Sequence, residues 1–475
     1  MATLSSYYNG NNTTMLIFAF LVIVLQSTHI VFATSESNIV KFLPGFEGPL
    51  PFVLETGYIE VSETERDENA EVFYYFIESE NNPKQDPLLL WLTGGPGCSG
   101  FSGLVFEIGP LAFKNEVYNG SLPNLFLRQH SWTKVSNIIF LDLPAGTGFS
   151  YPKTETAVQQ STWTLVQNAH QFLRKWLIDH PKFLSNEVYI AGDSYSGIPI
   201  PIIVQEISYE NEGGLQPRIN LQGYILGNAI TTPKDDNYQI PFNHAHALIS
   251  DELYQSLQKN CKGEYTNIDP QNALCLRVFQ SYKETISGVS GTHILEPKCE
   301  SDFHTVSSRR LIDKARDIFS SSLTMTPLHC RTDAYFLSPY WANDDNVRKA
   351  LHIRKGSIGK WKRCNNDLPF KHETLNSFPY HANLSKKGFR SLIYSGDHDM
   401  RVPFLATQAW IRSLNYSIVD DWRPWYSNDQ VAGYTRTYSN RMTFATVKGG
   451  GHTAPEYKPE ECLGMLTRWL SNNPL

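Results

Sequence analysis

Gly192-Asp193-Ser194-Tyr195-Ser196-Gly197 lies between the apolar run Val188-Tyr189-Ile190 and the stretch Ile198-Pro199-Ile200, and reads as a strand that turns sharply toward a helix with a serine at its apex. A nucleophilic serine needs such a turn, because its backbone is strained and its Oγ must stand clear of the sheet edge to reach a carbonyl carbon. Small neighbours make the turn possible. Gly192 meets that demand on one side, and on the other Ser196 takes the place usually held by a glycine, with Gly197 one position later.

Two downstream segments add the partners that a serine nucleophile requires. Ser391-Leu392-Ile393-Tyr394-Ser395 reads as a strand leading into Gly396-Asp397-His398-Asp399, and Met442 to Val447 reads as a strand leading into Gly449-Gly450-Gly451-His452. Serine, acid, then histidine is the chain order of α/β-hydrolases and differs from the orders on the chymotrypsin and subtilisin folds. In this chemistry Ser194 attacks, His452 takes and returns a proton, and the acid fixes the imidazole tautomer. Both Asp397 and Asp399 qualify as that acid from their position. A third strand, Pro87 to Leu92, runs into Thr93-Gly94-Gly95-Pro96-Gly97-Cys98-Ser99-Gly100, where glycines let backbone N–H groups approach a substrate. The amides of Gly95 and Tyr195 are the expected oxyanion-hole donors.

The rest of the chain suits this reading. With 475 residues, 41% hydrophobic and 19% charged, it can bury a large core, and a net charge of -6 without a basic stripe argues against a nucleic-acid partner. Apolar strands recur at Glu71–Ile77, Pro87–Leu92, Asn137–Leu141, Val188–Ala191, Ile219–Leu226, Leu392–Ser395 and Met442–Val447, which predicts a mostly parallel central sheet flanked by helices. Between Leu165 and Leu177, the residues Ala169, Phe172, Leu173 and Trp176 form a helical core stripe. The stretch from about 231 to 383 breaks the strand rhythm and is expected to be a lid inserted above the active edge, shaping the pockets there. Within it, Ile286-Ser287-Gly288-Val289-Ser290-Gly291 reads as an exposed loop open to proteolysis.

Met15 to Leu25 is an apolar run too short to span a bilayer, and Val31-Phe32-Ala33 supplies small residues in a cleavage pattern. Residues 1–33 therefore read as a signal peptide, 34–475 as the α/β-hydrolase domain, and stable membrane insertion is not expected. Asn119, Asn383 and Asn415 each open an Asn-X-Ser tripeptide and are glycosylation acceptors if exposed. Seven cysteines suit an oxidising compartment, and Cys462, on an apolar C-terminal helical stretch from Pro459 to Leu470, suits a buried thiol.

Taken together, Trp91 to Ser99, Phe106-Glu107-Ile108-Gly109-Pro110, Asp142 to Tyr151, the Ser194 turn, Gly396 to Asp399 and Gly451-His452 resemble the serine carboxypeptidase-like proteins from about residue 38 to the end. The resemblance implies the α/β-hydrolase fold, Ser194 as nucleophile, Asp399 rather than Asp397 as the acid, and His452 as base. It implies disulfides Cys98–Cys364, Cys261–Cys275 and Cys299–Cys330, with Cys462 left over, and passage to the vacuole or the cell exterior. Family carboxypeptidases carry asparagine where Thr93 stands and glutamate where Asp193 stands, which with the residue at Glu107 grip a peptide's terminal carboxylate. Here only Glu107 is kept, and Thr93, Gly94, Glu107 and Asp193 are the expected substrate-binding residues. Thr93, Asp193, Ile418 to Trp425 and Asn428 to Thr435 are similar to the plant acyltransferase branch, which passes an acyl group from a 1-O-acyl-β-glucose donor to an acceptor alcohol. No metal or diffusible cofactor is implied. An acid carboxypeptidase or esterase is the alternative, and the complete triad disfavours a catalytically silent binding protein. Glu107 and Asp193, if close, are expected to share a proton at acidic pH.

Overall fold

A computed structural model describes residues 38–62, 69–114, 116, 118–299 and 331–475. Segments 1–37 and 300–330 lie outside it, so the signal peptide and Cys330 of the third expected disulfide fall outside the described residues.

Ten strands form the main sheet: β1 (Leu54–Ser62), β2 (Asn69–Ile77), β3 (Leu88–Leu92), β4 (Asn137–Leu141), β5 (Val188–Asp193), β6 (Leu221–Gly227), β7 (Arg390–Gly396), β8 (Ile418–Ser427), β9 (Gln430–Tyr438) and β10 (Met442–Val447). Their order is β1-β2-β4-β3-β5-β6-β7-β10-β9-β8, with the short strand Tyr151–Pro152 added beside β2. The six central strands from β4 to β10 pair in parallel, and antiparallel pairs close each side. Strands β3, β4, β5, β7 and β10 are buried at every position, the continuous apolar pattern of a parallel sheet covered on both faces.

The period of two sorts these side chains into two cores. Leu89, Trp91, Tyr189, Ala191, Leu392, Tyr394, Ala445 and Val447 face one way, against the C-terminal helix. Leu88, Leu90, Leu92, Val188, Ile190, Ile393 and Phe444 face the other, against α1 (Thr162–Asp179) and α2 (Pro199–Glu212). Helix α1 starts where the Ser161 hydroxyl accepts the Thr164 N–H, and it buries the expected stripe of Leu165, Ala169, Phe172, Leu173 and Trp176. The strands named from sequence are all present, most of them a residue or two longer or shorter.

Two features were not anticipated. Strand β1 was not named, and Ile418 to Tyr438 forms a β-hairpin through Asn428 and Asp429, both with positive φ (48° and 58°), the backbone such a tight turn needs. Its outward charges and three register shifts hid the alternation.

The stretch 231–383 is not one cap. Helices α3 (Gln239–Ala245), α4 (Asp251–Cys261) and α5 (Ala273–Thr285) contribute to a small core of their own around Ile240, Leu257 and Tyr282, stapled by Cys261–Cys275. Further on, Leu337 and Trp341 of α6 (Asp333–Ala342), with Trp361, enter the main core, and Phe370, with Phe378 and Tyr380 of α7 (Phe378–Lys386), packs against the opposite one. The first part alone has the independence of a lid. The loop at Ile286–Gly291 also differs from its expectation: Ser287 and Gly288 are exposed, but Ser290 is buried and the Gly291 carbonyl accepts the N–H groups of Met400 and Arg401. Gly291 is thus built into the structure beneath the acid-bearing loop.

Candidate active site

Parallel strands deliver their C-terminal ends to one edge, and β5, β7 and β10 place there the three groups read from sequence. Ser194 follows β5 with φ 55°, the strained conformation of a nucleophile at a tight turn. The His452 Nδ1–H donates to Asp399 Oδ2 at 2.8 Å, which leaves Nε2 to accept the Ser194 hydroxyl at 2.9 Å. Serine and histidine, 258 positions apart in the chain, are in hydrogen-bond contact.

The acid is Asp399. It is fully buried, and besides His452 its oxygens accept from Arg401 N, Val402 N and the Asn228 amide. Asp397 instead accepts from Gly449 N and from His398, which ties the two loops together away from the serine. Burial works against a charged His452, but the Asp399 carboxylate, its hydrogen bond and the charge of Asp193 outweigh it and raise the imidazole above its ordinary value.

The turn around Ser194 is built by close approaches. A Cβ on Gly192 would fall 2.3 Å from the Leu92 carbonyl, and one on Gly94 would fall 2.6 Å from Ser194 Cβ. Ser196 is a fitting substitute for the usual small residue because its hydroxyl donates to Leu92 O at 2.9 Å, pinning the elbow to β3. Neither the Gly95 N–H nor the Tyr195 N–H donates a hydrogen bond among those described, so both are free to face an oxyanion. The Gly94–Ser99 loop is fixed from the far side by Cys98–Cys364, by Ser99 N donating to Arg363 O, and by Asn365 N donating to Gly97 O.

Of the residues expected to touch substrate, Gly94 has its amide already engaged. Its N–H donates to Asp193 Oδ1 at 3.0 Å, so the amide is occupied within the protein and the short Asp193 side chain folds back onto the loop. Thr93 Oγ1 accepts from the Trp91 indole at 3.2 Å and keeps its own proton. Glu107, at the end of the turn Gly103–Glu107, is buried, and its Oε2 has no partner among the described residues. Burial and then the charges of Asp193 and Glu456 push its carboxyl well above the usual range. Burial likewise lifts Asp193 to about 6, although His452 pulls it down. Glu107 feels the charge of Asp193, but no hydrogen bond joins the two carboxyls among the described residues, so the expected sharing of a proton has no contact to carry it here.

Two positioning groups escaped the sequence reading. Asn228, at the end of β6 with φ 40°, donates to Asp399 and accepts the Gly396 N–H at 2.9 Å. Its signal was faint: a polar residue closing an apolar strand. The Thr292 carbonyl accepts the His452 N–H at 2.7 Å, a backbone contact that no side chain announces. All three tripeptide asparagines are exposed; Asn119 and Asn415 lie in loops, whereas Asn383 lies within α7, where its Ser385 hydroxyl is buried against Ala382 O and Tyr416. Cys98–Cys364 and Cys261–Cys275 form as expected, and Cys462 is a buried free thiol.

Comparison with known proteins bears on the whole chain. Residues 44–472 match the model of the serine carboxypeptidase family, Peptidase S10. Serine carboxypeptidase-like 19 of Arabidopsis thaliana is 53% identical, covering 97% of this chain and 99% of its own, and serine carboxypeptidase-like 12 of the same plant is 55% identical over 93% and 95%. Among solved structures, the prohormone-processing carboxypeptidase Kex1Δp of Saccharomyces cerevisiae superposes with a TM-score of 0.71 at 21% identity, covering 92% of this chain and 96% of the other, a likeness of fold. With its serine, histidine and aspartate in contact at the active edge of an α/β-hydrolase sheet, the chain belongs to the serine carboxypeptidase family.

Proposed function

We propose that this enzyme transfers an acyl group from a 1-O-acyl-β-glucose to an acceptor alcohol through a Ser194 acyl-enzyme. Ser194 Oγ attacks the acyl carbonyl while His452 takes its proton, and the Gly95 and Tyr195 amides receive the developing negative oxygen. The bond from acyl carbon to sugar oxygen then breaks, and His452 protonates glucose as it leaves. An acceptor hydroxyl next attacks the ester, gives its proton to His452, and releases product as that proton returns to Ser194. Transfer prevails over hydrolysis when the acceptor is held in line, because an oriented hydroxyl outcompetes water at about 55 M.

The observation that carries the choice of transfer over peptide trimming is the contact between Asp193 and Gly94. A carboxylate one methylene longer could extend toward a peptide terminus; here it is retracted and occupies the amide beside it, and Thr93 offers one hydroxyl in place of a carboxamide. The alternative, a carboxypeptidase or esterase, fits the family equally at the level of the triad. Route and destination follow from the N-terminal apolar run and the disulfides: we infer entry to the secretory pathway and delivery to the vacuole or cell exterior, with glycans at Asn119 and Asn415.

The test incubates purified protein with an acyl-glucose, with and without an acceptor alcohol, beside a blocked dipeptide. Acceptor-dependent ester formation, abolished in Ser194→Ala, is expected. Release of amino acid from the dipeptide at a comparable rate would reverse the choice.

A further inference from the structure

We propose that His293, in the inserted region, is a positioning residue that clasps the acid-bearing and base-bearing loops together; the inference rests on the triad reading above. The segment Gly291–Ile294 touches both loops at once. Toward the acid, the Gly291 carbonyl accepts from Met400 N and Arg401 N, and Ile294 N donates to His398 O at 3.0 Å. Toward the base, the Thr292 carbonyl accepts the His452 N–H. These backbone contacts leave one side chain standing between the loops.

The His293 ring is 7% exposed. It stacks on His398, next to Asp399, with centroids 5.4 Å apart and planes 15° apart. On its other side it lies against the glycine turn before His452, since a Cβ on Gly451 would fall 2.9 Å from its Cδ2. Its tautomer is fixed by its partners. Leu295 N–H donates to Nδ1 at 3.2 Å, so Nε2 carries the proton and donates to the Gly449 carbonyl at 3.2 Å. A neutral imidazole satisfies both contacts, whereas a protonated one would lose the first. Burial favours that neutral form, against the Gly449 hydrogen bond and the charge of Glu296, while His398 and Arg331 add to it. The remaining neighbours are Asp397, bonded to His398, and the Tyr457 ring, which lies 4.7 Å from His293 and carries Arg331 on one face.

The geometric consequence concerns the Asp399–His452 bond. The base-bearing loop is rich in glycine, and it meets the acid-bearing loop directly where Gly449 N donates to Asp397 Oδ1 at 2.7 Å and His398 N donates to Gly450 O at 2.9 Å. The His293 Nε2–H adds a third tie at the Gly449 carbonyl, and its ring carries that tie back to the segment that holds Met400, Arg401 and His452. Loosening it lengthens the bond through which Asp399 raises the His452 proton affinity, so the imidazole becomes a weaker base and titrates lower.

The experiment measures the rate at which an alkyl fluorophosphonate labels Ser194, as a function of pH, in wild type, His293→Phe and His293→Gln. The phenylalanine keeps a flat ring and removes both hydrogen bonds, whereas the glutamine restores a donor near the Nε2 position. Rates are referred to the labelling end-point, so that only folded sites count. The expected result is labelling on the order of 10- to 100-fold slower in His293→Phe, with the acid limb displaced to lower pH, and recovery toward wild type in His293→Gln. Wild-type rate and an unmoved limb in both variants would overturn the proposal even if their melting temperatures fell. Absence of Ser194 labelling in wild type would instead sink the triad reading, and this inference with it.

Discussion

Replacing Asn228 by alanine removes two hydrogen bonds that converge on the acid of the triad. The carboxamide donates to Asp399 Oδ2 at 2.9 Å and accepts the Gly396 N–H at 2.9 Å, and all three groups are buried. A hydrogen bond to a charged group contributes about 1.5 to 3 kcal/mol, and leaving the Gly396 amide unsatisfied costs about 1 to 3 kcal/mol. Together they predict a loss of about 2.5 to 6 kcal/mol in denaturant unfolding. Asp399 keeps the N–H groups of Arg401 and Val402 and the His452 ring, so the carboxylate stays in place but less tightly held. The expected fall in kcat is on the order of tenfold to a hundredfold, short of the ~10⁴ that follows when such an acid becomes an amide, with KM little changed. The sign of the pH effect is definite. A carboxylate deprived of a donor is a stronger base and stabilises imidazolium more, so the acid limb of kcat/KM moves to higher pH. Wild-type kcat with an unmoved limb would show that Asn228 does not position the acid.

Gly94→Ala should abolish activity, since the added methyl would stand 2.6 Å from Ser194 Cβ and 3.1 Å from its Oγ; fluorophosphonate labelling retained at wild-type rate would contradict the packing described. Thr93→Asn with Asp193→Glu should lower acyl transfer and raise dipeptide hydrolysis at least several-fold, checked by assaying both substrates side by side; unchanged dipeptide turnover removes the argument from these positions. Stability should fall in acid through His381, which is fully buried against the Tyr224 hydroxyl at 2.7 Å and whose ring is pushed down to about 3 by burial. The folded state takes up this proton less readily than the unfolded chain, so the stability His381 allows above pH 6.5 is lost as pH falls below it, at about 1.4 kcal/mol per pH unit. His381→Asn, which keeps an acceptor for Tyr224, should lose about 2 to 3 kcal/mol less than wild type between pH 6.5 and 4.5 in urea unfolding; parallel losses would refute this.

The central strands, the order of serine, acid and histidine, and the glycine-rich loop after β3 were legible in the sequence, because each depends on local pattern: an apolar run, a tight turn, and small residues beside it. The sequence could not choose between Asp397 and Asp399 on physical grounds, since both end the same strand, and only the direction of each side chain separates the acid that meets His452 from the one that ties Gly449 to His398. Tertiary structure alone placed Asn228 and Thr292 at the triad, occupied the Gly94 amide with Asp193, and divided the inserted stretch between a separate small core and the two main ones. Those contacts join segments distant in the chain, several through backbone atoms that every residue shares, so no residue type marks them before the chain has folded.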